Sequence, residues 1–473
     1  VQGVTDLLDP DALLADAPRV VEVLEEAGWS SAALDELLGP NHRTHLDRDE
    51  LSPLLRRTRG GTALEQLARA FVLGAPVESG LLPDSWTRDG RVVTRLQAVA
   101  HGGQDVTVPH DAGSAAATVH PEQVLGVGAA SLTLAAATPR TKVQRVLDLG
   151  TGAGIQAVLA AGHASTVVAT DRNPRAVSFT RLAAALNGQH VDARAGDLLE
   201  PVAGELFDLV VSNPPFVISP GRRYTYRDAG YDGDEVCRRL VRDLPTVLAP
   251  GGHAVLLVNW LHLEGEDGDE RIRSWFDGTG CDGWVVQREL AAPEDYVTAW
   301  LRDTDETQFD ALYDDWVEAL SGVDAVAFGL VALHRRTDGR APQVTLDEVV
   351  QPTAATWGEE VVAHFARREL LEGDLLRQKL LLRPDVRLHQ VATRTEDGWR
   401  ADNQLLQQEA GLRWTGGVDL YGATLLAACD GTQPLEGLLA VLAASVGLSV
   451  AEATEQVLPV VRQLVSQGFL GTS

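Results

Sequence analysis

The chain has 473 residues, too many for one ordinary core, and length alone points to about three domains. Its 67 acidic against 40 basic residues leave a formal charge of −27, which argues against broad, nonspecific gripping of phosphate backbones, although Arg222-Arg223 or Arg238-Arg239 could form a local basic patch. Cys237, Cys281 and Cys429 are odd in number and far apart, and His42 and His45 lack convergent ligands, so neither a disulfide framework nor a metal site is expected, and a reducing cytoplasm fits.

In chain order, Val1-Gln2-Gly3 lacks a signal-peptide pattern. Residues 1–90 then carry apolar side chains at helical spacing, among them Val20, Val23 and Leu24 and later Leu64, Leu67, Ala68 and Phe71, which predicts a small helical domain. Residues 91–119 alternate like short connecting strands. The largest domain is expected over residues 120–340. Its first stretch, residues 120–138, is expected to form a lid helix with an approach loop, Gly126 and Gly128 permitting a hinge or close packing. The apolar part of it, residues 124–138, is too short and too rich in Gly, Ser and Thr to span a bilayer, so no membrane is expected.

Val146-Leu147-Asp148-Leu149-Gly150-Thr151-Gly152-Ala153-Gly154 reads as a buried strand running into a glycine turn, and Ile155–Ala161 as the helix that follows. Together they make a nucleotide-binding βα unit, in which glycines let the backbone approach a ligand. A second strand, residues 166–170, ends in Asp171, 23 residues beyond Asp148, where a carboxylate can accept both ribose hydroxyls. A third, residues 190–193, leads to the acidic loop Gly196-Asp197-Leu198. The fourth, Phe207–Ser212, delivers Asn213-Pro214-Pro215-Phe216.

That last loop names a chemistry. An amide or exocyclic amine has its lone pair delocalised into a π-system and is a poor nucleophile until acceptors grip its N–H bonds. Consecutive prolines fix φ and keep the backbone extended, so the carbonyls before and within the pair point outward. Asn213 and the Pro214 carbonyl are suited to be the acceptors, and Phe216 to stack on the flat group. All four loops fall at the carboxyl ends of successive predicted strands, where open α/β sheets bind ligands.

Further on, a fifth strand over residues 253–258, a helix near 272–276, a strand over 284–288, helices within 296–320 and a last strand over 325–334 are expected. The acidic stretch 303–315 reads as an amphipathic insertion with Phe309, Leu312, Tyr313 and Trp316 on one face, expected to pack in the core, the alternative being a protein-docking helix. Residues 345–473 are expected to form a small α+β domain with strands over 386–393 and 412–418. From about residue 420 the order helix, Asp430-Gly431-Thr432, helix, helix, Gly468-Phe469-Leu470 hints at a winged helix. Arg462 is the only Arg or Lys from Asp430 onward, so that tail suits protein binding or closing the fold better than phosphate.

The G-x-G-x-G turn after an acid, Asp171, Asp197 and the Asn-Pro-Pro-Phe loop together resemble the class I methyltransferases, in the branch with Asn-Pro-Pro-Tyr/Phe. The resemblance spans roughly residues 120–335 and implies an α/β, Rossmann-like fold with a seven-stranded mixed sheet. It implies S-adenosylmethionine (SAM) as cofactor, held by Asp148, Gly150, Thr151, Gly152, Gly154, Asp171, Arg172, Asp197, Leu198 and Asn213. Asn213, Pro214, Pro215 and Phe216 would be the catalytic loop, Phe216 without the phenol that other members carry. The stretch from Tyr226 to Gly233, the following helix over residues 235–248 and Pro250-Gly251-Gly252 look most like the protein-glutamine (release-factor) methyltransferases. The same residues also read as a helix capped by Asp232 or Asp234 and ended by Gly251-Gly252. The favoured expectation is therefore N-methylation of a glutamine side chain in a protein of the translation machinery, by a monomer. The alternatives are methylation of an exocyclic amine of RNA or DNA, adenine N6 or guanine N2, and SAM binding without catalysis.

Overall fold

The computed structural model of the chain describes residues 9–48, 50–111, 122–218, 233–301 and 306–472. They fall into two compact units, one comprising Val1–Ala135 and Arg140–Glu348, the other Ala136–Pro139 and Val349–Ser473. The amino-terminal helices and the large sheet thus share one unit.

In the first unit a 3₁₀ turn, Pro10–Asp16, leads into α1 (Ala17–Glu26), α2 (Ser31–Leu38), α3 (His42–Asp47), α4 (Leu51–Arg57) and α5 (Ala63–Leu67). Thr62 and Glu65 form a reciprocal capping box at the start of α5, so two of the helix's orphan N–H groups are satisfied locally. Val20, Leu24, Leu67, Phe71 and Trp86 are buried together. Two small hairpins follow: β1 (Thr87–Arg88) with β2 (Arg91–Val92), and β3 (Arg95–His101) with β4 (Gln104–His110). The second turns at Gly102 and Gly103, both at positive φ, as a tight two-residue turn between twisted strands requires. Residues 123–128 belong to no helix or strand, and α6 (Ala129–Ala137) is shorter than the expected lid helix, whose first residue, His120, lies outside the described residues.

The large sheet is built from β5 (Val143–Leu149), α7 (Ile155–Ala161), β6 (Ala164–Asp171), α8 (Pro174–Leu186), β7 (Asp192–Ala195), β8 (Phe207–Ser212), α9 (Glu235–Asp243), β9 (Leu248–Leu263), α10 (Gly268–Ser274), β10 (Cys281–Ala291), α11 (Pro293–Leu301), α12 (Glu306–Ala319), β11 (Val323–Arg335) and β12 (Val344–Glu348). Its spatial order is β12-β10-β11-β9-β8-β5-β6-β7. Strands β5 to β9 run parallel, β11 is antiparallel to β9 and β10, and β12 lies parallel to β10 at the edge. The sheet is mixed and flanked by helices, α/β as expected, with one strand more than the expected seven. Val146, Leu147, Val210, Val255 and Leu257 are buried on central strands covered on both faces, which is why these strands read as continuous apolar runs. Since β6 and β7 extend the sheet to one side of β5 and β8 to the other, a crevice opens at the carboxyl ends of β5 and β8.

Three local expectations need correcting. The helix expected over 235–248 stops at Asp243, because Pro245 has no N–H to continue it, and a 3₁₀ turn, Leu244–Thr246, leads straight into β9. Pro250-Gly251-Gly252 lies inside β9, as an excursion between the pairs Phe207↔Leu248 and Leu209↔His253, and does not end a helix. Asp234 makes no cap bond with its side chain. Buried, it accepts the Leu261 N–H (3.0 Å) and pairs with Arg271 (2.7 Å), tying the start of α9 to β9 and α10, while Asp232 lies outside the described residues.

The second unit holds α13 (Glu359–Glu372), β13 (Leu381–Leu382), β14 (Val386–Thr395), β15 (Gly398–Gln408), β16 (Thr415–Gly417), α14 (Leu420–Ala428), α15 (Leu435–Val446), α16 (Val450–Ser466) and β17 (Leu470–Gly471). Leu375, Leu406, Leu426, Leu435, Leu439, Val465 and Phe469 form its core. The strand expected over 412–418 shrinks to β16, and β15 was not foreseen. The three last helices come in the expected order, with the β14–β15 hairpin before them. Among the described residues no single helix is long and apolar enough to cross a membrane; α15 and α16 reach that length only together, bent by 117°.

Candidate active site

A cavity of about 470 Å³ opens in the crevice, within the range of small-ligand sites. Asp148, Gly150, Thr151, Gly152, Asp171, Arg172, Asp197, Leu198, Asn213, Pro214, Pro215 and Phe216 all line it. Gly154 is the one residue of the expected cofactor set that does not. At φ +89° it lies against α8, where a Cβ would stand 3.0 Å from the Thr180 Cα, so it serves the packing of the turn on that helix. Gly154→Ala should therefore lower stability by about 1–3 kcal/mol through left-handed strain and overpacking. A thermal unfolding scan would show it, and an unchanged midpoint would contradict this account.

The glycine turn is held by carboxylates. Asp148, on β5 and 1% exposed, accepts the Thr151 hydroxyl (2.7 Å) and the Ala157 N–H (3.0 Å), tying β5 to the first turn of α7. Asp171, at the end of β6, accepts the N–H groups of Gly152 (3.0 Å) and Asn173 (2.8 Å). Each of its oxygens keeps a second lone pair for a hydroxyl. Burial pushes the Asp148 carboxyl up to about 7, against the pull of the bonds from Thr151 and Ala157 and with help from the neighbouring Asp171. Burial also raises Asp171, opposed by its bonds from Asn173 and Gly152 and by the charge of Arg172. A cavity walled by two carboxyls that resist ionising favours a positively charged ligand, which would restore their charge. On β7's loop, Leu198 sits at φ +45°, a sparsely populated conformation for a residue with a branched side chain, and faces the same space.

The Asn-Pro-Pro-Phe loop leaves β8 after Ser212, whose hydroxyl bonds the Leu149 carbonyl (2.8 Å) and joins the ends of β8 and β5. Pro214 is buried, and Asn213 and Phe216 are half-buried. The Phe216 ring packs on Phe328 of β11, centroids 5.6 Å apart. Two residues on, the Ile218 N–H donates to the Tyr296 hydroxyl (2.9 Å), which also accepts the Asn259 amide (3.0 Å). Tyr296 is on α11 and buried, and one turn later Trp300 lines the cavity. Phe309, Leu312, Tyr313 and Trp316 of α12 pack in the same apolar cluster as the loop, so the acidic insertion is core on its apolar face.

No sequence motif marks Tyr296 and Trp300, and only the fold brings α11 to the loop. Asn173 and Gln156, which also line the cavity, were missed too; Asn173 carried a signal, an Asn-Pro pair that caps α8 by accepting the Arg175 N–H (3.0 Å).

Residues 119–267 match the family described as methyltransferase small domain, and residues 26–106 and 362–472 match two domains of unknown function, DUF7059 and DUF7782. The chain thus carries a class I methyltransferase core. Within that class it is close to the protein-glutamine N-methyltransferases. It is 33% identical over 172 residues to the ribosomal protein uL3 glutamine methyltransferase of Bradyrhizobium diazoefficiens, covering 32% of this chain and 53% of that protein. It is 35% identical over 158 residues to the release factor glutamine methyltransferase of Geobacter sulfurreducens, covering 30% and 53%. The ribosomal RNA small subunit methyltransferase C of Alcanivorax borkumensis is 35% identical over 118 residues, covering 25% and 33%. The chain spans about half the length of the first two of these relatives.

Proposed function

We propose that the chain is a SAM-dependent N-methyltransferase that methylates a planar nitrogen, the side-chain amide of a glutamine in a protein of the translation machinery. The observation that carries this reading is the placement of Asn213, Pro214 and Phe216 in one cavity with the glycine turn and Asp171. SAM would supply a methyl group on a cationic sulfur, and the two desolvated carboxyls suit a cation. Asp171 would accept the ribose hydroxyls, and Gly150 and Gly152 would let the backbone come close. The Asn213 side-chain oxygen and the Pro214 carbonyl would each accept one N–H of the substrate amide, raising electron density on nitrogen and aiming its lone pair. Phe216, backed by Phe328, would fix the plane of the amide. Positioning of this kind supplies most of the rate in a one-step displacement. The methylated nitrogen is acidic and can lose its proton afterwards, so a general base is not needed before attack.

A protein target is supported by the names of the first two relatives and by the charge of −27, which complements a basic protein better than a phosphate backbone. The second reading, an exocyclic amine of RNA, is favoured by the third relative and by Trp300, an indole on the cavity wall able to stack on a base. Incubation with tritiated SAM and a cell extract separates the two. Label released by protease and recovered as N5-methylglutamine supports the first; label released by nuclease supports the second, and no transfer to either sinks both.

A further inference from the structure

One wall of the cavity is not made by the sheet. Residues 123–131 line it, and the part of this segment before α6 is fastened from two sides. From the β3–β4 hairpin, the Gln97 amide makes a reciprocal clasp with Val127: its Nε2 donates to the Val127 carbonyl (3.1 Å) and its Oε1 accepts the Val127 N–H (2.9 Å). At the end of β4, the Asp111 N–H bonds the Val124 carbonyl (3.1 Å), and the Asp111 carboxylate accepts the Val124 N–H (2.9 Å). That carboxylate is itself paired with Arg175 of α8 (Nε to Oδ2, 2.8 Å), both side chains being buried. From the start of α8, the Asn173 amide bonds the Glu122 carbonyl (3.0 Å). Gly126 fits because it has no Cβ, which would stand 2.9 Å from Gln97 Oε1 and 3.0 Å from the His110 ring.

We infer that the β3–β4 hairpin is a working part of the cofactor site: Gln97 and Asp111 are positioning residues that pre-form the wall at residues 122–128 against which SAM binds. This rests on the reading of the cavity as a SAM site and gives a task to part of the domain of unknown function matched over residues 26–106, where Gln97 lies. The geometry favours positioning over mere attachment. A segment outside helix and strand has no ladder of its own, so its backbone groups need outside partners, and here those partners are Gln97 of the hairpin, Asp111 just after it and Asn173 at the start of α8. A wall held before the ligand arrives spares the ligand the entropy of ordering it. The hairpin is also attached elsewhere. Asn187, at the far end of α8, clasps Thr107 of β4 in the same reciprocal way (2.9 and 2.8 Å), and neither residue lines the cavity.

That second clasp supplies the control. Gln97→Ala and Asn187→Ala each remove one amide clasp between hairpin and core, so their unfolding midpoints should fall by similar amounts. Binding of S-adenosylhomocysteine, measured by calorimetry on the full chain below both midpoints, should weaken about tenfold in Gln97→Ala and change less than twofold in Asn187→Ala. Unchanged affinity in Gln97→Ala, or an equal loss in Asn187→Ala, would overturn the inference and leave the SAM reading intact. Failure of the unsubstituted chain to bind S-adenosylhomocysteine would overturn both.

Discussion

Asn213→Ala should lower the turnover number for methyl transfer about 10²–10³-fold, the loss typical of deleting one pre-aimed polar partner of a reacting group. Its affinity for S-adenosylhomocysteine should change less than tenfold, because Asp171 and the glycine turn lie on other strands and remain intact. The separation matters, since Asn213 lines the same cavity as Asp171 and the glycine turn. A residue that only shaped the cofactor pocket would lose affinity and turnover together, whereas an acceptor of the substrate N–H loses turnover at saturating SAM. The loop has little freedom to compensate. Pro214 and Pro215 fix φ, the Ser212 hydroxyl anchors the strand before it, and the Tyr296 hydroxyl holds the Ile218 N–H after it. Tritium transfer to the acceptor identified by protease release is the measurement. An Asn213→Ala variant as fast as the parent would remove the catalytic proposal.

How much of this could be read from the sequence depends on where the information sits. The four loops at the cavity were legible because each comprises a few contiguous residues at the end of a strand, and β8 and α7 have the expected boundaries for the same reason. Reading failed where local signals meant something else in three dimensions. Pro250-Gly251-Gly252 looks like the end of a helix, yet it is a bulge in β9. A Cβ at Gly252 would stand 2.9 Å from the Ala249 carbonyl and 3.0 Å from that of Phe207, so glycine is needed for close approach. Strand β15, Gly-Trp-Arg-Ala-Asp-Asn from Gly398, shows no alternation because Gly398, Trp399 and Arg400 are all exposed, and alternation arises only when one face is buried. Tyr296 and Trp300 reach the site from an insertion between β10 and β11, about 80 residues after Asn213 in sequence, a separation at which no spacing rule operates.

The largest stability effect should come from Asp148 and should depend on pH. Its carboxyl ionises near 3.8 when free and is pushed up to about 7 in the fold, chiefly by burial. Below about pH 4 both states hold the proton, and the group costs nothing. Between about 4 and 7 the unfolded chain releases it while the folded chain keeps it, so folded stability falls as pH rises, and above 7 the penalty is constant. The shift corresponds to a cost approaching about 4 kcal/mol at full development, at 1.36 kcal/mol per unit. Asp148→Asn removes the titration and keeps a carbonyl oxygen that can accept from Thr151 or Ala157. Its stability relative to the parent should therefore improve from pH 4.5 to about pH 7 and then level off, as read by denaturant unfolding without ligand. A cation bound in the cavity would favour the ionised form of Asp148. S-adenosylmethionine, which carries a sulfonium, should accordingly protect the parent against unfolding more at pH 8 than at pH 5. Asp148→Asn should lose that difference, and a parent whose protection is the same at both pH values would show that Asp148 does not face the cofactor's charge.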